Sequence, residues 1–233
     1  MKLRTIVFVG MDGAGKSTLS HTLGFDLRNR GMEVRHIWVL ENEQSHLRRF
    51  LRRIAPATFT RHSATKQTVP GIAGSGSGWT GSLFRWLYPA MVTVDYIVYG
   101  LVRTRLPSLW SRHRVWIFDR YFFDVILSLS DEFNLNPGQN TRMWSLLGVV
   151  FPVPDIIFFI DVDPDVALGR KPDAYPSLDA AVTMRERYLR LLDTLNHRYG
   201  LRVKRIDNNS GTEKSYDEIR KGIEAQSGKV RHG

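Results

Sequence analysis

The 233-residue chain carries 33 lysines and arginines against 23 aspartates and glutamates, a formal charge of +10, and no cysteine. The absence of cysteine excludes a disulfide framework and a thiolate metal site, and the 42% hydrophobic and 24% charged residues exclude a disordered or fibrous chain. This length can bury one large α/β core, and the excess positive charge points to nucleic acid, an anionic membrane surface or a polyphosphate substrate. No nucleic-acid module or base-stacking pattern is present, which leaves no nucleic acid among the expected partners.

The chain runs from Met1 straight into a strand, without a small-residue cleavage site, so no signal peptide and a cytoplasmic location are expected. Ile6 to Val9 is a short apolar, β-branched-rich run that reads as a buried parallel strand. Gly10-Met-Asp12-Gly13-Ala14-Gly15-Lys16-Ser17 follows at once and has the spacing G-x-x-x-x-G-K-[ST]. Its glycines permit a backbone that turns N–H groups inward around anionic oxygens. The helix opening at Ser17 runs to about Arg30, with Gly31 as its stop, and aims its positive dipole end at the same oxygens. Lys16 is expected to reach the β- and γ-phosphates of ATP, and the Ser17 hydroxyl to ligate Mg2+. Strand, loop and helix stand in the order that a phosphate-binding loop requires.

Glu33 to Leu40 is the second predicted strand, with Glu41 at the end where open parallel sheets bind ligands. Over residues 46–54 the helical period puts Leu47, Phe50, Leu51 and Ile54 on one side and Arg48, Arg49, Arg52 and Arg53 on the other. A solvated basic face is the favoured reading, and contact with an anionic acceptor or a membrane surface is the alternative. Residues 70–81 are rich in glycine and serine and read as a mobile loop. Trp86 to Val102 is apolar but shorter than the roughly 20 residues of a membrane span, and Pro89 and Asp95 interrupt it, so a buried helix is predicted. Residues 41–110 are an acceptor-side insert within a single domain spanning 1–233.

Val115 to Phe118 is the third strand, ending in Asp119-Arg120-Tyr121, and Asp155 to Ile160 is the fourth, ending at Asp161. Asp163 is the expected N-cap of a short helix with Pro164 in its first turn. Residues 178–199 form a long helix carrying Arg185, Arg187 and Arg190, and Leu201 to Ile206 is the fifth strand. Ser215-x-x-Glu218 reads as a capping box opening the last helix. The alternation predicts an α/β fold, a doubly wound five-stranded parallel sheet flanked by helices.

Two features point from nucleotide binding to a reaction. Asp119, at a strand end beside the loop, can orient an attacking oxygen and support the Mg2+ shell, and Arg120 can clamp an acceptor phosphate. Residues 163–177 then read as a lid that brings Arg170 and Lys171 over the phosphates before Pro172 breaks the helix.

Gly10–Thr18, Phe118-Asp-Arg-Tyr121 and Pro154–Leu168 resemble the three signature stretches of thymidylate kinases. Arg185-x-Arg187-Tyr188-Leu189 and Ile206-Asp207 also fall where that family has similar residues. The resemblance covers the loop unit and most of residues 115–220, and has no counterpart in 41–85. It implies a P-loop kinase fold and ATP-dependent conversion of dTMP to dTDP. ATP and Mg2+ would sit on Gly10, Gly13, Ala14, Gly15, Lys16, Ser17 and Thr18, with Asp12 near the acceptor's sugar hydroxyl and phosphate. Asp119 and Arg120 would hold the acceptor and the metal shell, Arg170 would act from the lid, and the loop from Asn208 to Thr212 would cover the adenine. A homodimer is the family's further implication. Two departures stand out. The family's aspartate–arginine pair before the third strand reads Asp95-Tyr96 here, and Glu41-Asn42-Glu43 replaces its arginine-containing stretch. Tyrosine does not replace a bidentate guanidinium. A nucleoside or a membrane-associated non-nucleotide acceptor is therefore the second reading, and a nucleotide-binding protein without transfer activity the third. A guanine-reading Asn-Lys-x-Asp motif is absent.

Overall fold

In the computed structural model, which describes residues 4–39, 90–91, 93–110, 114–133 and 137–229, five strands pair in the order β2-β3-β1-β4-β5. They are β1 Thr5–Val9, β2 Val34–Trp38, β3 Val115–Asp119, β4 Ile156–Asp161 and β5 Val203–Asp207, and every pairing is parallel. β1, β3 and β4 are buried along their whole length. Continuous runs such as Ile-Val-Phe-Val and Ile-Ile-Phe-Phe-Ile suit strands covered on both faces. The edge strands β2 and β5 are only partly buried. The sheet is the predicted doubly wound one.

The helices are α1 Lys16–Asn29, α2 Leu106–Trp110, α3 Phe122–Phe133, α4 Pro137–Val150, α5 Pro164–Arg170, α6 Leu178–Tyr199 and α7 Thr212–Lys229. Two compact units result: Met1–Val39 with Ser111–Tyr121 and Val153–Gly233, and Leu40–Trp110 with Phe122–Pro152. The first holds the sheet, α1 and α5 to α7. In it α1 buries Leu19, Leu23 and Leu27, spaced by four, on the strands beneath. Each such leucine contributes about 2 kcal/mol. α6 opens at Ser177, whose hydroxyl accepts the Ala180 N–H at 3.2 Å, and it stacks Tyr188 on Phe159 of β4.

One helix start differs from expectation. α7 begins at Thr212, so Ser215 lies inside it rather than capping it. Its buried hydroxyl faces acceptors at and just beyond the end of β5, Asp207 O and Asn208 Oδ1 at 2.8 Å each. Asp163 is the N-cap of α5 as expected, its carbonyl accepting the Ala167 N–H at 2.9 Å; its carboxylate makes no cap hydrogen bond and lies 3.3 Å from Arg185.

The second unit corrects another expectation. Residues 93–99 are helical and pass through a π-helical turn, Gly100–Arg105, into α2. The run is not buried: Thr93, Tyr96, Gly100 and Thr104 are, while Val94, Val98, Leu101, Val102 and Leu106 are exposed. Gly100 lies so close to α4 that a Cβ there would stand 2.6 Å from Val150 Cγ1. The face chosen for burial is the one whose small residues allow close helix approach, and apolar residues at other positions remain outside. Residues 46–54, 70–81 and Glu41-Asn42-Glu43 lie outside the described residues.

Candidate active site

The end of β1 runs into the glycine loop, and α1 starts at Lys16 within it. Gly13 has φ +82°, and a Cβ there would stand 2.4 Å from the Ala167 carbonyl oxygen of α5, so only glycine lets the loop lie against that helix. On its other side the loop is held by Asn208. This fully buried side chain donates to the Ala14 carbonyl at 2.7 Å and accepts from Ser215, while its backbone N–H donates to Asp161 O at 2.9 Å. Ser17 and Thr18, in the first turn of α1, are exposed.

Asp12 is the electrostatic centre. It is buried, its Oδ1 is paired with the Arg120 guanidinium and lies 3.8 Å from Lys16 Nζ, and its Oδ2 lies 3.7 Å from Lys171 Nζ. Lys16 also donates to Met11 O at 2.7 Å. One carboxylate therefore faces three cations, and the local excess of positive charge favours a further anion. Beyond α5, the Tyr175 hydroxyl oxygen accepts the Asp12 N–H at 2.7 Å. Arg170, beside Lys171, donates to the Asn208 carbonyl at 2.8 Å.

Asp119 and Arg120 meet the loop from β3. Asp119 pairs in register with Phe8 of β1, and the Arg120 N–H donates to Phe8 O at 2.9 Å. Arg120 has φ +69°, the left-handed region that an arginine seldom occupies. Backbone strain of this kind concentrates at functional sites. Asp119 is buried, and its Oδ1 has no hydrogen-bond partner among the described residues.

Two groups escaped the sequence reading. Asp161, at the end of β4, receives Arg185 bidentately at 2.9 and 3.0 Å and Arg205 Nε at 2.8 Å. Burial alone would raise its carboxyl, but the hydrogen bonds from Arg185 and Arg205 outweigh that and hold it below the ordinary value. His36 of β2 stacks on His21 and lies 3.0 Å from Ser20 Oγ, which donates to the Ser17 carbonyl. Burial, and next the neighbouring His21, lower its pKa. No local pattern announces either cluster, because each joins separate elements.

Gly10–Thr18, Asp119, Arg120, Arg170 and Asn208 all lie in the first unit. Tyr96 is buried in the second.

No protein-family model matches the sequence, and no curated protein matches it. Among solved structures, the thymidylate kinase of Candida albicans superposes with a TM-score of 0.60 at 16% identity, covering 97% of this chain and 93% of that one. The fold is that of a P-loop kinase. Broad substrate specificity and a novel structural element have been traced in the fungal structure. In this kinase fold the residues suit Mg2+, which takes one or two protein oxygens and completes its shell with water and phosphate. Asp119 Oδ1 is a buried carboxylate oxygen lacking a donor, and no cluster of three or more metal-binding side chains is found among the described residues. Among the same residues no helix is long and apolar enough to cross a membrane.

Proposed function

We propose that the chain is a phosphotransferase that moves the γ-phosphoryl group of ATP to a nucleoside monophosphate, dTMP first among them. The convergence of Lys16, Arg120 and Lys171 on Asp12, at the loop that opens α1, carries this reading. ATP supplies the phosphoryl group, and Mg2+ the charge that neutralises its oxygens. The loop N–H groups, with Gly10, Gly13, Ala14 and Gly15, hold the phosphates, and Ser17 and Thr18 close the shell at the helix end. Lys16 neutralises charge on the transferred group. Asp119 holds the metal's water or orients the acceptor oxygen. Arg120, released from Asp12, grips the acceptor. Residues 163–177 act as the lid that excludes water, with cations Arg170 and Lys171, and residues 41–110 act as the acceptor-side insert. Asn208 serves the nucleotide by holding the Ala14 carbonyl and so the loop. A cytoplasmic location, expected from the N-terminal sequence, and a homodimer, implied by the family resemblance, belong to the same reading.

A second reading keeps the donor side and changes the acceptor to a non-nucleotide. The burial of Tyr96 in place of an acceptor-phosphate arginine favours it. The deciding experiment incubates purified protein with ATP, Mg2+ and a panel of nucleosides and nucleoside monophosphates, and weighs each product for the added phosphoryl group. Preferred conversion of dTMP to dTDP upholds the first reading. ATP binding with no phosphorylated nucleotide moves the assignment to the second, and failure to bind ATP sinks both.

A further inference from the structure

A helix that receives phosphate at its N-terminus must leave its first turn open to the ligand, and α1 does so. Its N-cap is Gly15 in the left-handed region, no side-chain hydrogen bond caps it among the described residues, and its first turn holds no acid. Ser17 and Thr18 in that turn are exposed. On the buried side, the Ser20 hydroxyl donates to the Ser17 carbonyl at 3.0 Å, and Nε2 of His36 on β2 lies 3.0 Å from the same Ser20 oxygen. Resting on the phosphotransferase reading above, we propose that His36 is a positioning residue for the nucleotide's Mg2+. Its Nε2–H holds the Ser20 hydroxyl on the Ser17 carbonyl, and so sets the backbone that presents the Ser17 hydroxyl.

Hydrogen counting sets the direction of the contact. A serine hydroxyl has one hydrogen. With that hydrogen on the Ser17 carbonyl, Ser20 Oγ is left as an acceptor, and the ring nitrogen facing it carries a hydrogen of its own. Burial, then His21 of α1, lower the His36 pKa; Asp119 of β3 raises it, Arg28 of α1 lowers it again, and the net change is a fall. The ring is therefore neutral at neutral pH and holds a single hydrogen, on Nε2, with Nδ1 bare. A hydroxyl hydrogen otherwise rotates to suit its surroundings, and the donor at Oγ removes that choice.

The ring itself is held in place. His36 pairs in register with Ile117 of β3, and its face stacks on His21, the residue after Ser20, with centroids 4.2 Å apart and planes 17° apart. α1 thus supplies both the stack and the acceptor, and one side chain of β2 registers the helix start against the sheet. His36 exchanges no proton with the reacting groups in this role; it acts through Ser20.

Calorimetry of a non-hydrolysable ATP analogue, with Mg2+ and with EDTA, tests this without an acceptor. H36L is expected to lose about fivefold of the affinity that Mg2+ adds, less than the roughly tenfold or more for a direct partner of a metal ligand. Its metal-free affinity should be unchanged, which shows that the loop is folded. S20A should lose the same amount, and S20A combined with H36L no more than either, because both cut one chain of contacts. H36Q keeps a donor near the Nε2 position and should recover most of the gain; H36N, whose shorter amide ends nearer Nδ1, should not. The two amides remove the stack on His21 alike. Equal losses in H36Q and H36N, additive losses in the double variant, or an H36L that keeps the full gain therefore overturn the positioning role. Nitrogen NMR of the imidazole in the unliganded protein should show Nε2 protonated and Nδ1 bare at His36. The opposite tautomer reverses the hydrogen bond and also overturns the role. A wild type that binds no analogue, or gains nothing from Mg2+, overturns the phosphotransferase reading instead.

Discussion

Asp12 and Asp161 are both buried, both lie at or just beyond the ends of the adjacent strands β1 and β4, and both face more than one cation. They are built differently. Asp161 takes Arg185 and Arg205 at hydrogen-bond distance, with both of its oxygens used. Asp12 binds Arg120 closely but holds Lys16 and Lys171 at 3.8 and 3.7 Å. A cation locked by directed hydrogen bonds is costly to remove. The first aspartate therefore ties α6 and β5 to β4, and the second gathers one close and two more distant cations at the glycine loop.

Exchanging the charge on each side should separate the two roles, beginning with the largest effect. Lys16→Ala should lower phosphoryl transfer about a thousandfold while leaving the chain folded. Steady-state assays on the best acceptor, paired with thermal melts, check this, and full retained activity would refute the assignment. Asp161→Asn should do the reverse. It leaves two arginines short of their buried partner and should cost about 3 kcal/mol, at the low end of such losses because Arg205 is largely exposed. Urea unfolding measures it, and an unchanged midpoint would show that the network does not hold the fold. The acid limb sharpens the same point. Because the Asp161 carboxyl is held below its ordinary 3.8, the unfolded chain takes up the proton first. Its contribution is therefore full above that value and is lost as pH falls through the lowered one. The Asn variant should lack that part of the acid limb.

Asn208→Ala bridges the comparison, since Asn208 joins the Asp161 backbone to the phosphate loop. It should cost about 1–2 kcal/mol by leaving the Ala14 carbonyl unpaired and should also weaken ATP binding in calorimetry. Unchanged affinity would confine it to stability. The smallest effect belongs to His36. Burial and His21 lower its pKa, so the folded chain resists the proton that the unfolded chain accepts below about 6.5. Stability then declines as pH falls below that value until the lowered pKa is passed. Exchange of His36 for glutamine should flatten this interval in melts taken across it.

The sheet was legible because its signals are local. Ile6–Val9 and Ile156–Ile160 are continuous apolar runs, and the glycine loop carries its own spacing. Asp119 and Arg120 were legible as a strand end. What their side chains meet was not. Asp12 meets Tyr175 across 163 residues, and Asp161 meets Arg205 across 44, so no period or spacing reports either. Ser215 has the pattern of a capping box, yet Asp207 O and the buried Asn208 Oδ1 claim its hydroxyl. Asp163 stands at the N-cap as its type and the following proline predict, while its carboxylate lies by Arg185 rather than on the helix N–H groups. The apolar run ending at Val102 misled for another reason: hydropathy gives no account of which face has small residues, and Gly100 and Thr104 decided that. Tertiary competition for polar groups accounts for most of these differences.

The hydrogen bond from Asn208 to the Ala14 carbonyl spans 194 residues. It has a consequence for biogenesis. The loop leaves the ribosome long before its buttress, and β3 and β4 must also arrive before β1 has both neighbours. In that interval the glycine segment and the apolar strand before it stand without their partners, the circumstance in which nascent chains depend on slow elongation or chaperones. A ribosome-stalled chain ending before Asn208 should therefore leave this segment open to protease, and protection should appear only once the stall passes α7.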